Sequence, residues 1–228
     1  MKLMLLEKYI RYLAYKFGIS VSIPAKVVNM VPIKECGEPL VDLRRSPVLL
    51  FDPILDDKQE VLARKSVCSM LEKASYRLPE NHHLKIHSAY RPRSEQMRLW
   101  NRKCQEMREL FPDLSEEEIY ICTQRVVADP RVGFGGHQTG GAIDLTLCDD
   151  NGIDYNMGCR ISDNGNITIT HSKAISEEVY SNRMLLLSVL TNVGFVNYPK
   201  EWWHFCYGDR MWAVYKNKKN ALYGEVLE

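Results

Sequence analysis

Gly135-Gly136-His137-Gln138-Thr139-Gly140-Gly141-Ala142-Ile143-Asp144-Leu145-Thr146-Leu147 is the stretch on which the fold turns. From Gly141 to Leu147 the residues alternate as those of a strand do. Ile143, Leu145 and Leu147 share one face and read as buried. Ala142, Asp144 and Thr146 share the other, which is smaller and more polar, so Asp144 is expected to point into a cleft and not into the core. Glycines at 133, 135, 136, 140 and 141 permit tight turns. They allow His137 to fold back toward the same point as Asp144.

Glu201-Trp202-Trp203-His204 answers this stretch from further along the chain. Tyr198-Pro199-Lys200 reads as a loop, and Trp202 to Tyr207 as an aromatic strand. On a straight strand Glu201 and His204 would face opposite sides. A shared site therefore requires a bend near Trp202, or a strand that starts after Glu201. Two imidazoles and one carboxylate suit a catalytic zinc ion, one per chain. The ligands His137, Asp144 and His204 leave a fourth position for water, and the ion's charge lowers that water's pKa and polarises a carbonyl. Glu201, outside the ligand set, reads as the acid/base. Taken alone, the spacing also fits a glycine-rich turn followed by an aromatic core strand.

Three strings together carry a resemblance: the one from Gly136 to Leu147, Glu201-Trp202-Trp203-His204-Phe205, and Ser88-Ala89-Tyr90-Arg91-Pro92. They resemble the zinc D-alanyl-D-alanine dipeptidases of the vancomycin-resistance type. That family lies within a wider group of D,D-carboxypeptidases and L-alanyl-D-glutamate endopeptidases. The similarity runs from about Val41 to Trp212. It implies that Arg91 binds the substrate carbonyl and the oxyanion, and that Arg91, Tyr90, Trp203 and Asp163 contact the substrate, a D-amino-acid dipeptide. Two positions depart from the family. Gly135 stands where a serine is common, and Ser162 where an aspartate holds the substrate amine, with Asp163 one place later. The alternatives are a D,D-carboxypeptidase or another peptidoglycan-peptide peptidase, and a non-catalytic zinc-binding domain.

The 228 residues, 45% hydrophobic and 26% charged, suffice for one sizeable core. A net charge of +1 gives no broad field for nucleic acid or an anionic membrane. Seven cysteines are scattered with no Cys-x-x-Cys pair, which suggests reduced thiols and a cytoplasmic setting. Met1 to Phe17 lacks the form of a signal peptide, and no run is apolar enough to span a membrane. These features favour a free dipeptide as substrate.

The expected fold is α+β: a single domain, with a mainly antiparallel central sheet flanked by helices and the zinc site in a cleft on the sheet. Residues 1–20 are expected to form an N-terminal helix packed on a catalytic domain at 21–228. Leu6, Tyr9, Ile10, Leu13 and Phe17 make the helix's stripe. Ala25 to Val28 reads as a strand. A helix opens at Asp56-Asp57 with Ala63, Val67, Met70 and Ala74 inward. Leu84 to Tyr90 is a strand that delivers Arg91, and Ser94 is placed to cap the helix after it. Ser115-Glu116-Glu117-Glu118 is a capping box. Asp149 to Asn166 is a polar loop expected to rim the site. Ser176 caps a long helix closed by Gly194, Phe195 to Tyr198 is a strand, and Met211 to Tyr215 a last strand.

Overall fold

The strand at the centre of the sequence is also the centre of a five-stranded sheet. The computed structural model describes residues 2–16, 23–124 and 126–227. The strands are β1 (Leu40–Asp42), β2 (Leu49–Phe51), β3 (Leu62–Arg64), β4 (His83–Ser88), β5 (Ala142–Cys148), β6 (Val196–Asn197) and β7 (His204–Cys206). The helices are α1 (Lys2–Lys16), α2 (Ala25–Asn29), α3 (Lys65–Ser75), α4 (Arg93–Leu110), α5 (Glu116–Gln124), α6 (Glu177–Thr191) and α7 (Arg210–Tyr215). The main sheet runs β2-β4-β5-β7-β6, and β1 pairs separately with β3. The sheet is mixed. β4–β5, β5–β7 and β6–β7 are antiparallel, but the edge strand β2 lies parallel to β4.

The alternation along β5 is realised on a strand whose every residue is buried. Ile143, Leu145 and Leu147 join Leu84, Ile86 and Phe205 in the main core. Val67, Met70, Leu71 and Ala74 of α3 and Leu186, Val189 and Leu190 of α6 belong to the same cluster. Side chains of this kind each contribute about 1.5–3 kcal/mol when fully buried. A second, smaller core includes Ala142, Val196 and Cys206, with Trp212, Ala213 and Val214 of α7 and Val27 of α2. Those three strand residues are register partners. They therefore mark the face of the sheet opposite Ile143, and that face carries Asp144 one step further on.

Three elements differ from the sequence reading. Met211 to Tyr215 is helical, because Asp209 accepts a hydrogen bond from Trp212 N at 2.7 Å and caps α7. Ala25 to Val28 is helical too. Pro24 sits at its N-cap and accepts from Val27 N and Val28 N, and Val27 then anchors the turn in the second core. Asp56-Asp57 opens turns and not a helix. Ala63 lies in β3, and α3 starts only at Lys65.

Other local signals are realised. Glu118 Oε2 accepts from Ser115 N at 2.8 Å, and Ser115 Oγ accepts from Glu118 N at 3.4 Å. Ser176 Oγ accepts from Val179 N at 3.3 Å. The helix after Arg91 instead has Pro92 at its N-cap with no side-chain cap bond. In α1 the stripe residues Leu6, Tyr9 and Ile10 stay exposed, and Phe17 lies outside the described residues. Contact with α7 is made by Tyr15, whose ring lies 4.7 Å from that of Tyr215.

Candidate active site

Register sets the site. Ser88 on β4 pairs with Asp144 on β5, and Asp144 pairs with His204 on β7. The three side chains thus stand in one row on the polar face. His137 reaches the row from the loop ahead of β5, where residues 137–139 form a single tight turn. Gly136 makes that approach possible. A Cβ there would lie 2.6 Å from Asp209 Oδ2 and 2.8 Å from Ala142 Cβ, so no larger residue fits without movement.

His137 Nδ1 lies 2.7 Å from Ala89 O. A carbonyl only accepts, so Nδ1 carries the proton and Nε2 is the nitrogen turned to the cluster. Nε2 is 3.2 Å from Asp144 Oδ2, and His204 Nδ1 is 2.9 Å from Asp144 Oδ1. One donor atom from each of the three residues lies within 4.8 Å of the others. Zinc bonds of about 2.0–2.1 Å to nitrogen or oxygen in a tetrahedron imply edges of about 3.3 Å, so the two measured pairs match a zinc coordination polyhedron. The donor set and its spacing fit such an ion.

Charge at the cluster follows the same geometry. Burial alone would raise the Asp144 carboxyl, but His137 and His204 hold it well below the usual carboxylate range. Burial depresses His137, with Asp144 opposing. For His204 burial is outweighed by its bond to Asp144, and its pKa rises. The carboxylate is thus ionised and ready to face a cation.

Glu201 stands just ahead of β7. His204 N donates to Glu201 O at 3.2 Å, closing a turn through Trp202 and Trp203, and the strand begins at His204. Both conditions the sequence set for a shared site are therefore met, although Trp202 and Trp203 are turn and not strand. Burial pushes the Glu201 carboxyl up. Asp144 adds to the rise, and His204, Arg91 and Lys200 oppose it. That carboxylate forms no hydrogen bond or ion pair among the described residues. The turn is held by Asn197, whose Nδ2 donates to Glu201 O and His204 O at 3.0 Å each.

Arg91 is fixed from two sides, by Nη2 to Ser88 Oγ at 3.0 Å and Nη1 to Gln96 Oε1 at 3.1 Å. Its backbone N donates to His137 O at 3.1 Å. Its charge is felt at both His137 and Glu201. Gln96, 4% exposed, is anchored in turn by Nε2 to Ala128 O at 2.9 Å. Asn197 and Gln96 were not legible in advance, because a polar side chain bonded to distant backbone leaves no spacing signal.

A cleft of about 720 Å³ is lined by Thr146, Trp202, His87, Asp52, Arg160 and Asp163 among others, and by none of His137, Asp144, His204, Glu201 or Arg91. Thr146 is the next residue after Asp144 on its face of β5. The register of β4 slips between Ile86 and Ser88, and this bulge accompanies the turn of His87 toward the cleft. There His87 Nδ1 meets Asp52 Oδ2 at 3.0 Å. Of the polar loop from Asp149 to Asn166, residues between Asp154 and Asp163 line this cleft.

The expected substrate contacts divide. Arg91 is at the cluster. Asp163 lines the cleft, but its Oδ2 accepts from Arg160 N at 2.8 Å, which folds it back on its own loop. Trp203, 4% exposed, and Trp202, 2% exposed, both lie in the main core with their rings 5.4 Å apart, and of the two Trp202 is the one that lines the cleft. The turn at 202–203, not strand alternation, decides which indole reaches the cleft. The Tyr90 hydroxyl donates to Val226 O at 3.5 Å, toward the C-terminal segment.

Comparison with known proteins bears on this geometry. The sequence pattern of a family described as D-ala-D-ala dipeptidase matches residues 52–221. The chain belongs to the D-Ala-D-Ala dipeptidase family. It is thereby a member of a family of metallopeptidases. It is 26% identical over 247 residues to a D-alanyl-D-alanine dipeptidase of Synechocystis sp., covering 91% of this chain and 100% of that one. It is 33% identical over 122 residues to a D-alanyl-D-alanine dipeptidase of Escherichia coli, covering 54% and 53% of the two. Among solved structures, the vancomycin-resistance D,D-pentapeptidase VanY, in complex with Zn(II), superposes with a TM-score of 0.45 at 17% identity, over 86% of this chain and 90% of that one. The three strings that carried the resemblance all lie within the matched residues.

Proposed function

We propose that this chain is a zinc-dependent dipeptidase that hydrolyses D-alanyl-D-alanine to D-alanine, with Glu201 as general base and Arg91 as oxyanion partner. One observation carries the reading: His137, Asp144 and His204 converge with a free carboxylate and a fixed guanidinium beside them. Family membership and the names of the relatives support the substrate.

Zinc held by His137, Asp144 and His204 would supply a polarising positive charge and make water acidic enough to lose a proton near neutral pH. Glu201 takes that proton from the attacking water. As the C–N bond breaks, Glu201 returns it to the departing nitrogen, so it ends as it began. A carboxyl raised by burial suits this task, because a base works best with a pKa near the working pH. Arg91 donates to the oxygen that gains charge. Its pins to Ser88 and Gln96 mean that little reorganisation is needed during reaction. Asp163 is proposed to meet the free amine, which requires it to leave its bond to Arg160 N.

On this reading residues 21–228 form the catalytic unit, and residues 1–20 a helix packed on it. No helix among the described residues is long and apolar enough to cross a membrane. All seven cysteines are free thiols, which suits a cytoplasmic enzyme meeting a free dipeptide. A second reading has one observation in its favour. Clefts of about 300–1,000 Å³ hold ligands of drug size, more than a dipeptide fills, and this one is about 720 Å³. A peptidase acting on the end of a longer peptidoglycan peptide would use that room. Zinc-loaded protein should cleave free D-Ala-D-Ala and lose activity with chelator. Faster cleavage of N-acetylated or longer peptides ending in D-Ala-D-Ala would transfer the assignment to the second reading.

A further inference from the structure

Arg183, on α6, is 1% exposed, and no carboxylate pairs with it among the described residues. A buried cation without an anion is costly unless its donors are satisfied. Here backbone carbonyls satisfy them. Nε and Nη2 donate to Met157 O at 3.0 and 2.5 Å, Nη2 also to Ile167 O at 2.9 Å, and Nη1 to Ile169 O at 2.8 Å. The guanidinium also lies 5.6 Å from the Trp202 ring.

Those carbonyls belong to two segments with different tasks. Met157 lies in the stretch between Asp154 and Asp163 that walls the cleft. It lies so close on α6 that a Cβ at Gly158, φ 82°, would meet Val179 Cγ1 at 2.9 Å. Residues 167–170 grip the turn that carries Glu201. Trp202 N donates to Thr168 O at 3.0 Å, Thr170 N to Pro199 O at 3.0 Å, and Thr168 Oγ1 to Lys200 O at 2.8 Å. Thr170 Oγ1 donates to Asn197 Oδ1 at 2.6 Å, and Asn197 in turn holds Glu201 O.

We infer that Arg183 is a positioning residue that locks the cleft wall and the Glu201 turn into one unit, so that substrate seating and proton transfer share a register. This rests on the reading of Glu201 as base. A lysine cannot replace it, since an ammonium does not span three carbonyls from one plane.

The test uses full-length, zinc-loaded protein. In Arg183→Ala, kcat/KM for D-Ala-D-Ala falls by about 10²-fold, the scale of a small misplacement of reacting groups, while zinc content is unchanged. Added guanidinium or methylguanidinium ion, below denaturing concentration, restores activity; Arg183→Lys stays impaired. Thr168→Val, which removes the hydroxyl that reaches Lys200 O and Gly165 O and leaves the Arg183 carbonyl contacts in place, lowers kcat and leaves KM in place. Hydrogen exchange in Arg183→Ala speeds up together at residues 157–163 and 198–202 and not in β4 or β5. Wild-type kinetics in Arg183→Ala, or exchange that rises evenly over the sheet, overturns the inference. If Arg183→Ala does not fold, unchanged kcat in Thr168→Val overturns it equally. If the wild type itself cleaves no dipeptide, the reaction assignment fails, and the exchange pattern alone decides on Arg183.

Discussion

Glu201 and Arg91 are separable from the proposed ligands His137, Asp144 and His204, and their variants should show it. Glu201→Ala is expected to keep one zinc per chain and lose about 10²–10⁴-fold in kcat, the usual worth of a general base; zinc lost in step with activity would make Glu201 a ligand. The same carboxyl sets a pH limit. Its pKa is raised by burial above the ordinary 4.5, and a base must be deprotonated to act. Activity should therefore fall, as pH is lowered, before an ordinary carboxyl would protonate, and Glu201→Asp should move that limb of the pH–rate profile. Arg91→Lys should bind metal normally and lose about 10²–10³-fold in kcat, as for removal of one oxyanion donor. These residues could be proposed from the sequence because chemistry restricts the choice: a metal calls for residues such as His and Asp, an oxyanion for a fixed cation. Their neighbours were not. Trp202 and Trp203 are chemically alike, and only the turn between Glu201 and His204 determines which one lines the cleft.

Among the elements, β5 was readable because its alternation and its pairing agree. α7 was not, because Met211 to Tyr215 has strand-forming side chains and its helical state depends on one cap, Asp209, two residues before Met211. The parallel pairing of β2 with β4 likewise leaves no local mark, since either direction buries Leu49 and Leu84. The loop ahead of β5 makes the sharpest demand. Gly136→Ala would bring its Cβ to 2.6 Å from a carboxylate oxygen of the residue that caps α7. Overpacking of this kind costs about 1–3 kcal/mol, about 2–12 °C in Tm for a chain of 150–250 residues. The substitution should lower zinc affinity as well, because His137 is the next residue. A variant with wild-type Tm and wild-type zinc affinity would show that the loop has slack.

Across the whole molecule, two cores stand on opposite faces of one sheet, and the site lies where the smaller core ends. A ligand that binds only the native state stabilises it by mass action, about 2.7 kcal/mol at a free concentration 100 times Kd. Removal of zinc by chelator should therefore lower Tm, and re-addition should restore it. The His137→Ala protein should show no such dependence. An equal response to zinc in both would place the ion elsewhere. Fold class was readable from runs of strand and helix without regular βαβ alternation, but which side of α1 packs was not. Leu6, Tyr9 and Ile10 of its stripe face outward, and Tyr15 makes the contact with α7.

Pairing of Asp144 with His204 across adjacent strands has a consequence for how the protein is made. The two residues are far apart along the chain and meet only after β5 and β7 zip together. Contacts of such long range form late, once closure of the intervening segment has been achieved. With the proposed ligand set, a nascent polypeptide cannot complete the ion's coordination until residue 204 has been synthesised and seated in the sheet. Metal uptake should therefore lag behind compaction during refolding, and the appearance of bound zinc can serve as a clock for completion of the central strands.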